Sequence, residues 1–89
     1  MSDVIDISLH RTALGVIDEL LEKRGLAFFL KRAGALPFAI DDRRVEVAVE
    51  LAARRLGNRC TDGARESTRR AVRRRLISLV AEAMVQVGL

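Results

Sequence analysis

Few residues of this chain belong to the kinds that do covalent or metal chemistry. It contains one histidine, His10, and one cysteine, Cys60. A structural zinc site draws on about four nitrogen or sulfur ligands, and a single histidine with no cysteine or acidic cluster beside it does not supply them. His10 falls at the edge of an apolar helical face, beside Leu14 and Ile17, and reads as a structural residue. Cys60 lies in a turn. A nucleophilic thiol needs an activating base, and His10 is the only candidate, so Cys60 reads as a bystander. Asp41 and Asp42 are adjacent carboxylates, but they immediately precede a helical stretch, where unpaired N–H groups and the helix dipole favour anions. Capping explains them. Ser67 and Thr68 sit inside a helical run with no glycine-rich loop nearby, so they form no phosphate cradle. No catalytic residue, metal or cofactor is expected, and the chain is not expected to be an enzyme.

Arginine is what the chain has in quantity. Lys and Arg number 16 against 12 Asp and Glu, for a net charge of +4. Residues 1–42 carry five Lys/Arg and seven Asp/Glu, net −2; residues 43–89 carry eleven Arg and five Asp/Glu, net +6. A basic half suits nucleic acid, anionic lipid or an acidic protein. The plainer account is a solvated surface decorated with arginine. At about 100° per residue, Arg65, Arg69 and Arg73 stack on one stripe of a helix, and Arg70 and Arg74 on the adjacent one.

An α-helix fits the major groove of B-DNA, where arginines contact phosphates and guanine edges. On that reading Arg65, Arg69, Arg70, Arg73 and Arg74 bind the nucleic acid, and Arg54, Arg55 and Arg59 are flanking phosphate contacts. Leu51–Gly57, a turn and the arginine-rich helix together resemble a helix-turn-helix unit, which places its second helix in the major groove. The resemblance covers about 25 residues. The turn from Gly57 to Asp62 exceeds the usual three or four residues, and Gly63 stands where an apolar residue is usual, so no family is assigned.

The leading expectation is therefore a small dimeric protein that binds double-stranded DNA, as a transcriptional regulator or a phage- or plasmid-type accessory factor. The alternative is a protein-interaction module, an adaptor, inhibitor or assembly subunit, docking the same helix on an acidic partner. The chain has no Trp and no Tyr, which argues against RNA and single strands, since these are bound by stacking on aromatics.

The elements that must position these residues are helical. Ser8 is a candidate N-cap, and Leu9, Ala13, Val16, Ile17, Leu20 and Leu21 follow at helical spacing. Lys23, Arg24 and Gly25 form a stop. A short second helix is expected over Leu26–Ala33, ending at Gly34, unless the two run on as one kinked helix. Residues 35–40 form a connector, with Leu36 pushed out of helical geometry by Pro37. Asp41 caps a helix over Asp42–Leu56, stopped by Gly57, within which Glu50 and Arg54 are spaced to pair. Val45–Glu50 alternates as a strand would, but strong helix formers continue the run, so helix is preferred. After a turn, Thr61 or Asp62 caps a last helix over Gly63–Val87. Phe28, Phe29 and Phe38 are expected in the core. The fold class is all-α: a small bundle of three to four helices with a long C-terminal helix, in one domain over 1–89, with 1–8 as a flexible N-terminal segment.

In that last helix Ala64, Thr68, Ala71, Val72 and Leu79 lie opposite the arginines, with Leu76 at the edge. After Leu76 the helix is apolar nearly all round, and only Ser78, Glu82 and Gln86 stay polar. Such a segment must be buried nearly all round, in the core or in a subunit interface, while the arginine half projects outward. A chain this short buries only about 60–65% of its unfolded surface, which favours association. A homo-oligomer is expected, with Ile77, Val80, Met84 and Val85 at its interface. Arg75 falls in the apolar arc, where it snorkels, pairs with an acid or begins the polar stripe. One cysteine permits no internal disulfide, which suits a reducing compartment. Residues 1–6 have neither a basic start nor an apolar run, and Leu76–Leu89 is shorter than the about 20 apolar residues of a membrane span. The expected location is cytoplasmic, with no membrane contact.

Overall fold

Apolar residues at helical spacing give three segments one buried stripe each, and the three stripes share a core. The computed structural model describes residues 7–33, 36–57 and 60–86, and of residues 33 and 36–38 the backbone only. Helix α1 spans Ile7–Arg24 and buries Leu9, Ala13, Val16 and Ile17. It ends as expected: Lys23 and Arg24 occupy its last turn, and the Gly25 N–H donates to the Leu21 carbonyl at 2.8 Å. Ser8 is not its cap. The helix already includes Ile7, and a hydroxyl caps only a helix that starts after it.

Helix α2 spans Asp42–Leu56, with the bounds and both caps that its sequence implies. The Asp41 carboxylate accepts from the Arg43 N–H at 3.0 Å, and Gly57 closes the helix in the left-handed conformation at φ 64°. Its buried residues, Val45, Ala48, Val49, Ala52 and Ala53, keep helical spacing, so the alternating strand reading does not hold. Helix α3 spans Asp62–Gln86. Thr61 is the cap, its hydroxyl oxygen accepting from the Ala64 N–H at 3.1 Å. Ala64, Thr68, Val72 and Leu76 are buried, and the Thr68 hydroxyl is satisfied by donating to the Ala64 carbonyl at 2.8 Å.

Between α1 and α2 the structure departs from the expected second helix and connector. Leu26–Phe29 forms one turn of 3₁₀ helix, and strand β1, Leu30–Ala33, pairs antiparallel with strand β2, Leu36–Ile40. Gly25, at φ 80° and ψ 170°, turns the chain out of helical geometry before Leu26. An apolar run of this length cannot be assigned to helix or strand by period alone. Pro37 is compatible with β2 because each strand of a two-stranded sheet is an edge. The register sets Leu30 opposite Ile40 and Lys31 opposite Ala39, with an irregularity between Lys31 and Ala33. The Asp41 N–H closes the base of the hairpin on the Phe29 carbonyl at 2.7 Å. The expected stop at Gly34 and the side chain of Phe38 lie outside the described residues. The fold remains mostly helical.

Phe29 is fully buried and packs edge-on against Phe28, with ring centroids 5.2 Å apart. The guanidinium groups of Arg24 and Arg44 lie 5.5 and 4.3 Å from the Phe28 ring centroid, linking the end of α1 to the start of α2 by cation–π contact.

The two halves of α3 are placed opposite to expectation. All four of its buried residues fall between Ala64 and Leu76, and no residue of 77–86 is buried. The arginine half is the one seated on the core; in the apolar half Leu79, Val80, Ala83 and Met84 are half-buried and the other residues of 77–86 are exposed. Length is the reason. At about 1.5 Å per residue α3 is ~37 Å long, against ~27 Å for α1 and ~22 Å for α2. Two shorter helices cannot enclose it from end to end.

Candidate functional site

The arginine face of α3 meets an acidic face of α2. Asp42, Glu46 and Glu50 lie at i, i+4 and i+8 along α2, and Arg73, Arg69 and Arg65 lie at the same spacing in reverse along α3. Asp42 pairs with Arg73, Glu46 with Arg69 and Glu50 with Arg65. Every step of four along α2 meets a step of four back along α3, so the two helices run side by side and antiparallel. A helix-turn-helix pair crosses at about 90–120°, and a crossing so steep would not carry three successive rungs. The helix-turn-helix resemblance therefore does not extend to the geometry of these two helices.

The central rung is the most elaborate. Arg69 donates through Nε to one Glu46 oxygen and through Nη2 to the other, the latter at 3.3 Å, and its Nη1 reaches Glu66 at 2.6 Å. The bond to Glu46, reinforced by Glu66, raises the pKa of Arg69 above the ordinary guanidinium value against the opposing effect of burial. At the Arg65 rung the Nε is buried without a hydrogen-bond partner among the described residues.

The remaining arginines divide. Arg55 binds Glu19 of α1 at 2.7 Å, and this bond holds the Glu19 pKa below the ordinary glutamate range. Arg75 lies 3.8 Å from Asp18, the acid-pairing option among its three. Arg70 is exposed, 3.7 Å from Glu66. Arg54 and Arg74 are exposed and have no ion-pair partner among the described residues. Arg59 lies outside the described residues. The seven described arginines do not form one open cationic ridge: three face α2, one faces α1, and Arg54, Arg70 and Arg74 are exposed. The expected pairing of Glu50 with Arg54 gives way to Glu50 with Arg65. His10 has the structural place expected of it, its Nε2 lying 3.2 Å from the Ser67 hydroxyl across α1 and α3. Its partner stands 57 residues on, as Asp18's does, so α1 and α3 run parallel.

Beyond Leu76 the helix offers apolar surface. Ile77 is 51% exposed and Val85 76% exposed; Ala81 is exposed, and Val80 and Met84 are half-buried. Ile77 and Val80 form with Leu30, Ala39 and Ile40 a shallow groove of about 140 Å³ between α3 and the hairpin.

No family model matches the chain, and neither a curated protein nor a solved structure is significantly similar to it. Among the described residues no group of three or more His, Cys, Asp or Glu could hold a metal ion, and no helix is long and apolar enough to cross a membrane.

The acidic stripe is what sequence reasoning passed over. Its signal was present: acids at i, i+4 and i+8 on one helix and arginines at i, i+4 and i+8 on the next. Arginines weighed alone suggest an external anion, and weighed against that stripe they already have one.

Proposed function

We propose that this chain is a protein-interaction module that docks through the outward face of α3, where the basic pair Arg70 and Arg74 runs on into Ile77, Ala81 and Val85. The observation that carries this reading is the incompletely covered half-helix. Ten residues beyond Leu76 keep helical form and apolar composition, yet none is buried. Apolar surface left in water forgoes about 25 cal/mol per Å², and a partner that covers the helix recovers it.

DNA binding draws less support from the same geometry. For Arg65, Arg69 and Arg73 to reach phosphates they must release Glu50, Glu46 and Asp42, and those carboxylates would then stand beside the DNA backbone as like charges. The test is a photo-crosslinking residue at position 81 in cells, with one at exposed Arg11 as control. Covalent adducts to protein are expected from position 81 and not from position 11. Tight binding to duplex DNA at about 50 mM salt that weakens when Arg69 and Arg73 become Ala would overturn the reading in favour of a DNA-binding helix.

A further inference from the structure

Two charges on the outward side of α3 take part in no ion pair among the described residues: Arg74 and Glu82. Both are exposed. They stand on either side of Ser78, separated by two helical turns, or about 12 Å of axis, too far to neutralise one another. Beside them run Ile77, Ala81 and Val85.

We infer that this face is closed by a second copy of the chain whose α3 lies antiparallel to the first, an inference that rests on reading α3 as the docking face. A two-fold pair presents the same patch from both copies, so the patch must complement itself. Centred between Ser78 and Ala81, an antiparallel pair brings Arg74 within side-chain reach of the partner's Glu82, and Glu82 within reach of the partner's Arg74. The apolar residues of the two helices then lie along each other, and the small side chains of Ser78 and Ala81 let the backbones approach. A parallel pair would set Arg74 beside the partner's Arg74 and Glu82 beside the partner's Glu82, two like-charge contacts, so the charges select the antiparallel arrangement. An unrelated partner would need a complement of its own for each charge, whereas a second copy already carries both.

Sedimentation velocity on the full chain, from about 1 to about 200 µM, tests this over the range suited to an interface at the small end of the specific class. Reversible dimerisation is expected. Arg74→Glu and Glu82→Arg should each raise the dimer dissociation constant about tenfold, because each replaces two attractions by two repulsions. The double swap Arg74→Glu/Glu82→Arg should return it to within about threefold of wild type. Both positions are exposed, and far-ultraviolet circular dichroism should show the variants folded. A monomer across the whole range, or a double swap no tighter than the single variants, overturns the inference. Crosslinking from position 81 separates the two levels. Adducts of the chain with itself support self-association. Adducts only with other proteins leave the docking reading standing and overturn the second copy, and no protein adduct overturns both.

Discussion

The central rung between α2 and α3 supplies the sharpest test of the ion ladder. Two opposite charges about 4 Å apart at an effective dielectric constant of 20 attract by ~4 kcal/mol, which is a ceiling. The Arg69 and Glu46 side chains are 32% and 42% exposed, so water screens the pair and the measured range for open pairs, about 0.2–1 kcal/mol, is the better guide. Two bonds from one guanidinium to one carboxylate raise the value toward the top of that range. A coupling of about 1 kcal/mol between Glu46→Gln and Arg69→Gln is therefore expected from a double-mutant cycle. Arg69→Gln alone should cost more, about 1.5–2 kcal/mol, because Glu66 loses the nearer of its two arginine partners and keeps only Arg70 at 3.7 Å. For a domain of this size each kcal/mol lowers the melting temperature by about 4–8 °C. The assay is urea unfolding of all four proteins at one fixed concentration, since association shifts apparent stability. Repeating it in ~1 M salt, where the screening length is ~3 Å, should reduce the coupling by about half. A coupling below about 0.3 kcal/mol, or one indifferent to salt, refutes the ladder as a source of stability.

Three further perturbations have outcomes set by the geometry. Gly57→Ala and Gly15→Ala should act in opposite directions in thermal denaturation: about 1 kcal/mol destabilising at the left-handed cap, where no atom would meet the new Cβ and the cost is wholly backbone, and 0.5–1 kcal/mol stabilising in mid-α1, with equal shifts refuting the account. Phe29→Ala, at a fully buried position, should cost about 3–5 kcal/mol, enough to abolish the cooperative circular-dichroism transition of so small a domain. The bond to Arg55 lowers the Glu19 pKa below its ordinary 4.5, so the folded chain takes up this proton less readily than the unfolded chain. Its contribution is complete above the ordinary value and is lost as pH falls through the folded one. Glu19→Gln should flatten that part of the acid limb of a urea-midpoint titration, and an unchanged limb would count against the pair.

What the sequence made legible were features whose causes are local. The helix over Asp42–Leu56 emerged with both ends because Asp41 and Gly57 are capping residues and Val45, Ala48, Val49 and Ala52 repeat at one period. The hairpin did not emerge, because Leu26–Ala33 is too short for its period to decide and a strand is defined by its partner. In the candidate site, the arginine stripes of α3 were legible one helix at a time. Their destination depended on which face of α2 they met, a relation between elements that neither segment states alone. The inverted burial of α3 has the same origin. Apolar composition said that residues 77–86 need covering, and only the lengths of α1 and α2 say that this chain by itself does not cover them.

The ladder also bears on the order in which the chain assembles. Its rungs are nested about one turn, with partners 15, 23 and 31 residues apart. Closing the innermost rung carries most of the loop entropy. Because that entropy grows only logarithmically, going on to the outermost rung adds about 0.6 kcal/mol. Once Glu50 finds Arg65, the α2–α3 pair can zip outward from Gly57, each rung setting the register of the next. The contact between α1 and α3 at His10 and Ser67 spans 57 residues, and even the ion pair of shorter reach that ties α1 to α2, Glu19 with Arg55, spans 36. The C-terminal hairpin of helices is thus the part of the molecule suited to nucleate folding, with α1 docking onto a surface already made.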